Sequence, residues 1–280
     1  MPIGMAKRPP PCAHLRPNLA TTWAAPIPRY DRRMQSRRQL ILKGTWATAA
    51  LWATPITWVH GAAPSRGQPS VSLHYAVSGK KSGINYNAKS TLTWQRNATH
   101  YSAAWQVSLL FVFNRKQTST GLLVNGYPEP RRFVDDGKRI REAVLDPTTK
   151  QVRYTEAGAA SWEPNMQDRV SLFFALPKWI AEAKRSGQQT FLVPVTGANG
   201  RADWRMQIGS PETVVTPAGT WLATPVKRVV GPDDTAATLW YASENATFPV
   251  RILLTEPDGT FIDQRLDKQN KLPDLDPLKA

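Results

Sequence analysis

Few side chains of this 280-residue chain have the types and spacing that catalysis requires. Two pairs of adjacent carboxylates, at positions 135–136 and 233–234, lie close to glycine in segments typical of turns, which disfavours a paired general acid and base. Asp168 follows Gln167 directly before apolar residues at helical spacing, so its carboxylate is suited to accept hydrogen bonds at a helix N-terminus. A hydrolase would need Asp168 and Glu163 to converge with a basic group in a cleft.

The histidines and the cysteine indicate no metal centre. The chain has four His and one Cys, and His74 and His100 fall on the polar positions of predicted strands, where side chains are usually exposed. The sequence contains neither a Gly-x-Ser-x-Gly motif nor a glycine-rich loop for a phosphate or a dinucleotide. It therefore offers no catalytic residue, no metal ligand and no cofactor motif, and we expect a protein that is not an enzyme.

The net charge of +15 first suggests a nucleic-acid partner. Residues 1–62, however, contain nine of the 36 Lys and Arg residues and one of the 21 acidic residues, so the rest of the chain has 27 basic and 20 acidic residues and a net charge of +7. The aromatic residues of that part fall at positions expected to be buried and form no exposed stacking surface. We therefore expect no nucleic-acid partner.

Two adjacent arginines, Arg37 and Arg38, precede an uncharged apolar run at 44–59 and small residues at 60–63. This order of basic, apolar and small residues is that of a secretory signal peptide, and the apolar run is shorter than the roughly 20 residues of a membrane-spanning helix. The segment resembles a twin-arginine export signal. That resemblance implies the twin-arginine export machinery as a partner; a general secretory signal and an uncleaved membrane anchor are the alternatives.

This signal defines the expected domain organisation. Residues 1–33 are expected to be a disordered extension or a mis-called start, 34–63 the signal peptide, 64–266 a single β-rich domain and 267–280 a flexible tail. The expected compartment is the periplasm, with a soluble protein after cleavage or a membrane-anchored one if the signal is retained.

Alternation of apolar and polar residues between positions 71 and 266 predicts β-strands. Turn-forming clusters at 146–149, 197–200 and 258–259 separate several of about ten such strands, which indicates a mainly β protein. From 101 to 113 the odd positions are all apolar and the even positions up to 108 are mostly polar, so this segment is predicted as one long strand, which would bend strongly. We expect a strongly curved antiparallel sheet that forms a half-barrel or open barrel.

One helix is predicted to begin near Asp168 and to pack on the open side of this sheet. Pro177 is expected to end or kink it. The large side chains on the concave face of the sheet are the candidates for binding an apolar or amphiphilic ligand, because pockets are mostly apolar; packing against one another as an ordinary core is the alternative. These candidates are Tyr86, Trp94, Tyr101, Trp105, Leu109, Phe111 and Trp204.

Basic residues cluster in the middle third of the chain, with acidic residues among them. Solvated strand ends account for such charges, but contact with anionic lipid headgroups or cell-envelope polymers is an alternative. The candidates for this basic surface are Arg115, Arg131, Arg132, Lys138 and Arg139.

Several short segments, in order, resemble the bacterial envelope family known as domain of unknown function 3108. Together they extend over residues 70–266. The segments are Ser-Thr-Gly-Leu at 119–122, Gly-Tyr-Pro-Glu-Pro-Arg-Arg-Phe at 126–133, Gln-Asp-Arg-Val-Ser-Leu at 167–172, Thr-Pro-Ala-Gly-Thr at 216–220, Leu-Trp-Tyr at 239–241 and Phe-Pro-Val-Arg-Ile at 248–252. The resemblance implies a periplasmic protein with a strongly curved β-sheet and supplies no catalytic residue. A looser fold analogy reaches the open-barrel lipoprotein carriers of the periplasm.

Three functions follow from these observations. The first is a non-enzymatic periplasmic protein that binds a lipid or other amphiphile inside the curved sheet. The second is an envelope assembly or interaction protein that uses a sheet edge or the basic surface. The third is a hydrolase that acts on envelope polymers. The sequence leaves the oligomeric state unknown.

Overall fold

The computed structural model describes residues 68–109, 113–242 and 247–276. In these ranges the chain forms sixteen strands and one helix, more strands than the ten or so that the sequence indicates. The elements in chain order are β1 (Val71–Lys81), β2 (Ile84–Arg96), β3 (His100–Leu109), β4 (Phe113–Val124), β5 (Tyr127–Asp136), β6 (Ile140–Asp146), β7 (Gln151–Tyr154), β8 (Gly158–Ser161), β9 (Gln167–Asp168), α1 (Ser171–Arg185), β10 (Thr190–Thr196), β11 (Arg201–Ile208), β12 (Glu212–Thr216), β13 (Gly219–Val229), β14 (Ala236–Tyr241), β15 (Arg251–Thr255) and β16 (Phe261–Lys271).

Fifteen of the strands follow one another across a single sheet in the order β8-β7-β6-β5-β4-β3-β2-β1-β16-β15-β14-β13-β11-β10-β9, and β12 pairs with β13 beside this path. The two ends of the sheet nevertheless meet. Tyr154 on β7 and Thr196 on β10 share a hydrogen bond of 2.9 Å, and Gln167 on β9 donates to the Pro128 carbonyl on β5 at 3.1 Å. The sheet is therefore curved far enough for side chains to connect its ends, as an open barrel.

Several hairpins lie where turn-forming residues predict them. β6 pairs with β7 across the cluster at 146–149, where Asp146 accepts hydrogen bonds from the backbone amides of Thr148 and Thr149. β10 pairs with β11 across 197–200. Asn-Gly pairs favour tight turns with positive φ, but this loop has four residues and neither Asn199 nor Gly200 has a positive φ.

The prediction of one long strand at 101–113 is wrong. β3 and β4 are antiparallel, and Leu109 lies opposite Phe113, so the chain reverses direction between them. The last strand also differs from expectation: β16 continues to Lys271, beyond the predicted domain boundary at 266, and its far end remains paired with β1.

The segment from Gly126 to Pro130 belongs to a hairpin, although it contains two prolines. Asn125 and Gly126 both have positive φ, at 54° and 80°, as the two central residues of a type I′ turn do, and β5 begins at Tyr127. The prolines are compatible with the strand because β6 pairs with β5 only from residue 132 onwards, so this part of β5 has an unpaired side.

Helix α1 lies against the concave face and continues through Pro177. Proline has no N–H to donate to the carbonyl four residues earlier, which here belongs to Phe173. Tyr241 on β14 donates its hydroxyl to that carbonyl at 2.9 Å in the buried interior. A tertiary hydrogen bond thus replaces the one that Pro177 removes, and the helix extends to Arg185.

The core lies between α1 and the sheet. Phe174 on α1 packs on Trp94, with ring centroids 4.5 Å apart, and Trp94 in turn stacks on Tyr101 at 5.0 Å. All three side chains are buried. The apolar face of the helix therefore covers the middle of the sheet.

Candidate ligand-binding cavity

A cavity of about 640 Å³ opens beside α1 on the concave face of the sheet. Its volume is within the range of roughly 300–1,000 Å³ that small-molecule sites occupy. One wall is apolar and is formed by residues of α1 and of strands β3, β14, β15 and β16. It includes Trp105, Leu172, Phe173, Leu239, Ile252, Leu254, Phe261 and Ile262.

The opposite part of the cavity is rich in arginine. Arg115 on β4 makes a bidentate ion pair with Asp135 on β5, with N···O distances of 2.8 and 2.6 Å. Arg141 on β6 donates to the same carboxylate at 3.1 Å and to the side-chain oxygen of Asn199 at 2.8 Å, in the amide orientation that satisfies both groups of Asn199. These arginines hold the pKa of Asp135 below its usual value against the opposing effect of burial, so it is ionised at neutral pH.

Two further arginines enter from the other side. Arg228 on β13 lies over the Trp204 ring at 4.4 Å and donates to the Thr235 carbonyl at 2.9 Å. Arg201 on β11 forms ion pairs with Glu163 and Asp203. Each of these guanidinium groups thus has a protein acceptor.

Arg169 is different from its neighbours. Its guanidinium lines the cavity and makes no hydrogen bond or ion pair with any residue in the part of the chain that the structure describes. Its pKa is lowered, first because the surrounding protein displaces water and then because of the like charges of Arg115, Arg228 and Arg141, whereas Asp135 acts in the opposite direction. Arg169 is therefore an exposed cation for which the described residues supply no direct counter-ion.

The predicted aromatic candidates occupy three kinds of position. Trp105 and Trp204 line the cavity. Trp94 and Tyr101 lie in the core beneath α1, and Tyr86 covers Gly79 on the neighbouring strand, where an added Cβ would come within 2.4 Å of the tyrosine ring. Leu109 ends β3 opposite Phe113. Phe111 lies outside the described residues, as do the export-signal arginines Arg37 and Arg38.

The five residues proposed for a basic surface are divided between the two faces of the sheet. Arg115 lines the cavity, and Arg131 forms an ion pair with Glu129 at the register shift between β4 and β5. Arg132 is on the other face and forms a bidentate pair with Glu142. Lys138 and Arg139 are exposed in the turn after β5, with Arg139 3.9 Å from Glu156.

Three of the segments that carry the family resemblance meet at the base of α1. Asp168 accepts hydrogen bonds from the backbone amides of Val170 and Ser171 at 2.8 Å, and Ser119 donates to its second oxygen. Burial raises the pKa of Asp168 to about 6, against the hydrogen bonds that lower it. The N-cap residue of α1 is Val170, so Asp168 is not itself the cap and instead stabilises the turn that leads into the helix.

The close packing at this junction explains why residue 121 is a glycine. A Cβ on Gly121 would lie 2.2 Å from the Glu129 carbonyl oxygen, at the point where the register between β4 and β5 shifts. These segments therefore share a structural role, which is to join α1 to β4 and β5.

The carboxylates considered for hydrolysis do not converge. Asp168 is fully buried, with both oxygens engaged, whereas Glu163 is exposed and paired with Arg201. Within the described ranges no group of three His, Cys, Asp or Glu residues is arranged to hold a metal ion. Nor does any helix in these ranges have the length and apolarity to cross a membrane.

Sequence reasoning missed most of the cavity's arginines and its β14–β16 wall. Arg169 lies in a segment chosen for the family resemblance, but the sequence shows no feature that marks its side chain as unpaired. Leu239, Ile252 and Leu254 lie on strands that were predicted, and their alternation with polar neighbours marks them as inward-facing without distinguishing a cavity from a core.

The sequence profile of the family described as protein of unknown function (DUF3108) matches residues 71–267. The chain belongs to that family. No curated protein matches it. Among solved structures it is similar to MucB, with 9% identity, coverage of 76% of this chain and 56% of MucB, and a TM-score of 0.27. It is also similar to a LolA superfamily protein from Nitrosomonas europaea, with 9% identity, coverage of 75% and 88%, and a TM-score of 0.27.

Proposed function

We propose that this protein is an exported, non-enzymatic binding protein of the periplasm that holds an apolar or amphiphilic envelope ligand in the cavity. The observation that supports this most is the cavity itself, with about 640 Å³ of space and a wall of aromatic and aliphatic side chains on the concave face. When a ligand covers apolar surface that the protein leaves exposed to water, the free energy falls. The compartment follows from the signal-like segment with Arg37 and Arg38.

The apolar wall can be tested with the environment-sensitive dye N-phenyl-1-naphthylamine and two neighbouring residues of β15. Leu254 lines the cavity, and Leu253 points to the opposite face because side chains alternate along a strand. Leu254→Asn removes apolar contact worth about 1.5 kcal/mol, so we expect the dye to bind about tenfold more weakly.

Leu253→Asn is the matched control and should leave dye affinity within about twofold of the unsubstituted protein. Far-UV circular dichroism establishes that both variants fold. Absence of dye binding to the unsubstituted protein, or an equal loss in both variants, would contradict binding at this wall.

A further inference from the structure

We propose that the ligand is an amphiphile with an oxyanion headgroup, which Arg169 binds with support from the neighbouring cavity arginines. This inference rests on the proposed function and adds the chemical class of the headgroup. It comes from the balance of donors and acceptors around the cavity.

The first observation is the difference between Arg169 and the other arginines. Arg115 and Arg141 share the carboxylate of Asp135, and Arg201 has two carboxylates of its own. Arg228 has a backbone carbonyl and, at 3.5 Å, Asp234. Arg169 has no such partner among the described residues, so its planar set of donors remains available to a ligand. Guanidinium groups match the geometry of carboxylates and phosphates in a bidentate manner.

The second observation is that some donors around the cavity have no acceptor. Five arginines line the cavity, together with the three acids Asp135, Asp234 and Glu256. The Nε atoms of Arg141 and Arg228 are buried without an acceptor. These unmatched donors and the exposed guanidinium of Arg169 favour an anionic ligand, which can accept hydrogen bonds from them.

The third observation is where Arg169 lies. It lies two residues before the start of α1, whose Leu172 and Phe173 belong to the apolar wall. An anion at Arg169 and an apolar chain along the wall would therefore occupy one continuous site. Gly197 leaves room for the guanidinium, since a Cβ there would be 3.0 Å from its Nε and Nη2 atoms. Polar and apolar recognition are thus arranged as an amphiphile requires.

Isothermal titration with three probes below any micelle-forming concentration tests this assignment. Dodecyl phosphate has both parts of the proposed ligand, dodecyl glucoside has the chain with a neutral headgroup, and inorganic phosphate has the anion alone. We expect dodecyl phosphate to bind at least about tenfold more tightly than either of the others, because it combines charge-assisted hydrogen bonds with apolar contact.

Arg169→Gln should weaken dodecyl phosphate binding by about tenfold or more and change dodecyl glucoside binding by less than about twofold. Arg169→Lys should give an intermediate loss, because it keeps the charge without the bidentate geometry. Arg205→Gln, an exposed arginine on the outer face of β11, is the matched control and should bind all three probes as the unsubstituted protein does.

The thermal unfolding of Arg169→Gln provides a second readout. Because no ion pair is lost and repulsion from neighbouring arginines is relieved, we expect its melting temperature to be unchanged or higher. A residue with a structural role would show the opposite. Weaker dodecyl phosphate binding in a variant that is no less stable supports a ligand-binding role for Arg169.

The possible failures are distinguishable. Equal binding of dodecyl glucoside and dodecyl phosphate, with no effect of Arg169→Gln on either, would overturn the headgroup assignment and leave the proposed function intact. Inorganic phosphate binding as tightly as dodecyl phosphate would overturn the assignment to an amphiphile, because the apolar wall would contribute nothing. Failure of all three probes to bind would overturn both proposals.

Discussion

Asp168 shows how one buried side chain can have a structural role and a dependence on pH at the same time. Its carboxylate accepts hydrogen bonds from two backbone amides and from Ser119, and Ser119 shares a hydrogen bond with Tyr101. Even with these donors, burial raises the pKa of Asp168 from 3.8 to about 6. The folded protein therefore binds this proton more tightly than the unfolded chain does.

The sign of the effect on stability follows. The raised pKa of Asp168 adds to the free energy of unfolding in full below about pH 4, and this stabilisation is lost as pH rises through about 6. The loss is on the order of 3 kcal/mol. Asp168→Asn retains an oxygen for the two amides and removes the ionisation. We expect the stability of this variant relative to the unsubstituted protein to rise by that amount between pH 4 and pH 7, as measured by urea unfolding.

Asp168→Ala separates the two roles. It removes the acceptors as well as the ionisation, so at pH 4 it should be less stable than the unsubstituted protein by about 1–3 kcal/mol. A stability difference between Asp168→Asn and the unsubstituted protein that is constant over this pH range would show that the carboxylate does not titrate there.

At the scale of elements, helix α1 depends on a hydrogen bond from outside the helix. Pro177 leaves the Phe173 carbonyl without its usual donor, and Tyr241 supplies one. Tyr241→Phe should therefore destabilise the protein by about 1–3 kcal/mol, because it leaves a buried carbonyl unsatisfied.

A double-mutant cycle measures this replacement directly. Alanine at position 177 has an N–H that can donate to the Phe173 carbonyl, so Tyr241→Phe should have a smaller effect on the free energy of unfolding in a Pro177→Ala background. We expect a coupling energy of about 0.5–1.5 kcal/mol. Additive effects of the two substitutions would contradict the replacement.

The elements also show what the sequence could and could not predict. The prediction of one strand at 101–113 fails because Leu109 pairs with Phe113, so odd-numbered residues on β3 and β4 share a face. Odd and even residues therefore keep their faces on both sides of the reversal, as they would along one strand. The intervening residues, Leu, Phe and Val, include no turn former. Asn125-Gly126, in contrast, is a strong hairpin signal, but the two prolines that follow it conceal a strand.

The cavity was less accessible to sequence reasoning than the strands. Its five arginines come from β4, β6, β11, β13 and the segment before α1. The contacts of Asp135 with Arg115 and Arg141 follow from local hairpin registers. The approach of these residues to Arg169, Arg201 and Arg228 depends on how far the sheet curves, which strand patterns do not specify.

At the scale of the whole molecule, curvature brings distant parts of the sheet together. Arg141 on β6 and Asn199 after β10 are near opposite ends of the strand order and yet form a hydrogen bond. The resulting space has apolar and arginine-rich sides, which ordinary core packing would not leave open. The positive charge outside residues 1–62, read first as a sign of nucleic acid, thus includes a group of arginines directed inward.

The central claim is that this cavity holds an envelope amphiphile. It is tested most directly by native mass spectrometry of the full-length protein expressed in a Gram-negative host and purified from the envelope fraction without detergent. We expect a species heavier than the polypeptide, which releases an anionic amphiphile on activation and is depleted in Arg169→Gln. Detection of the polypeptide mass alone, for folded protein under these conditions, would contradict the account.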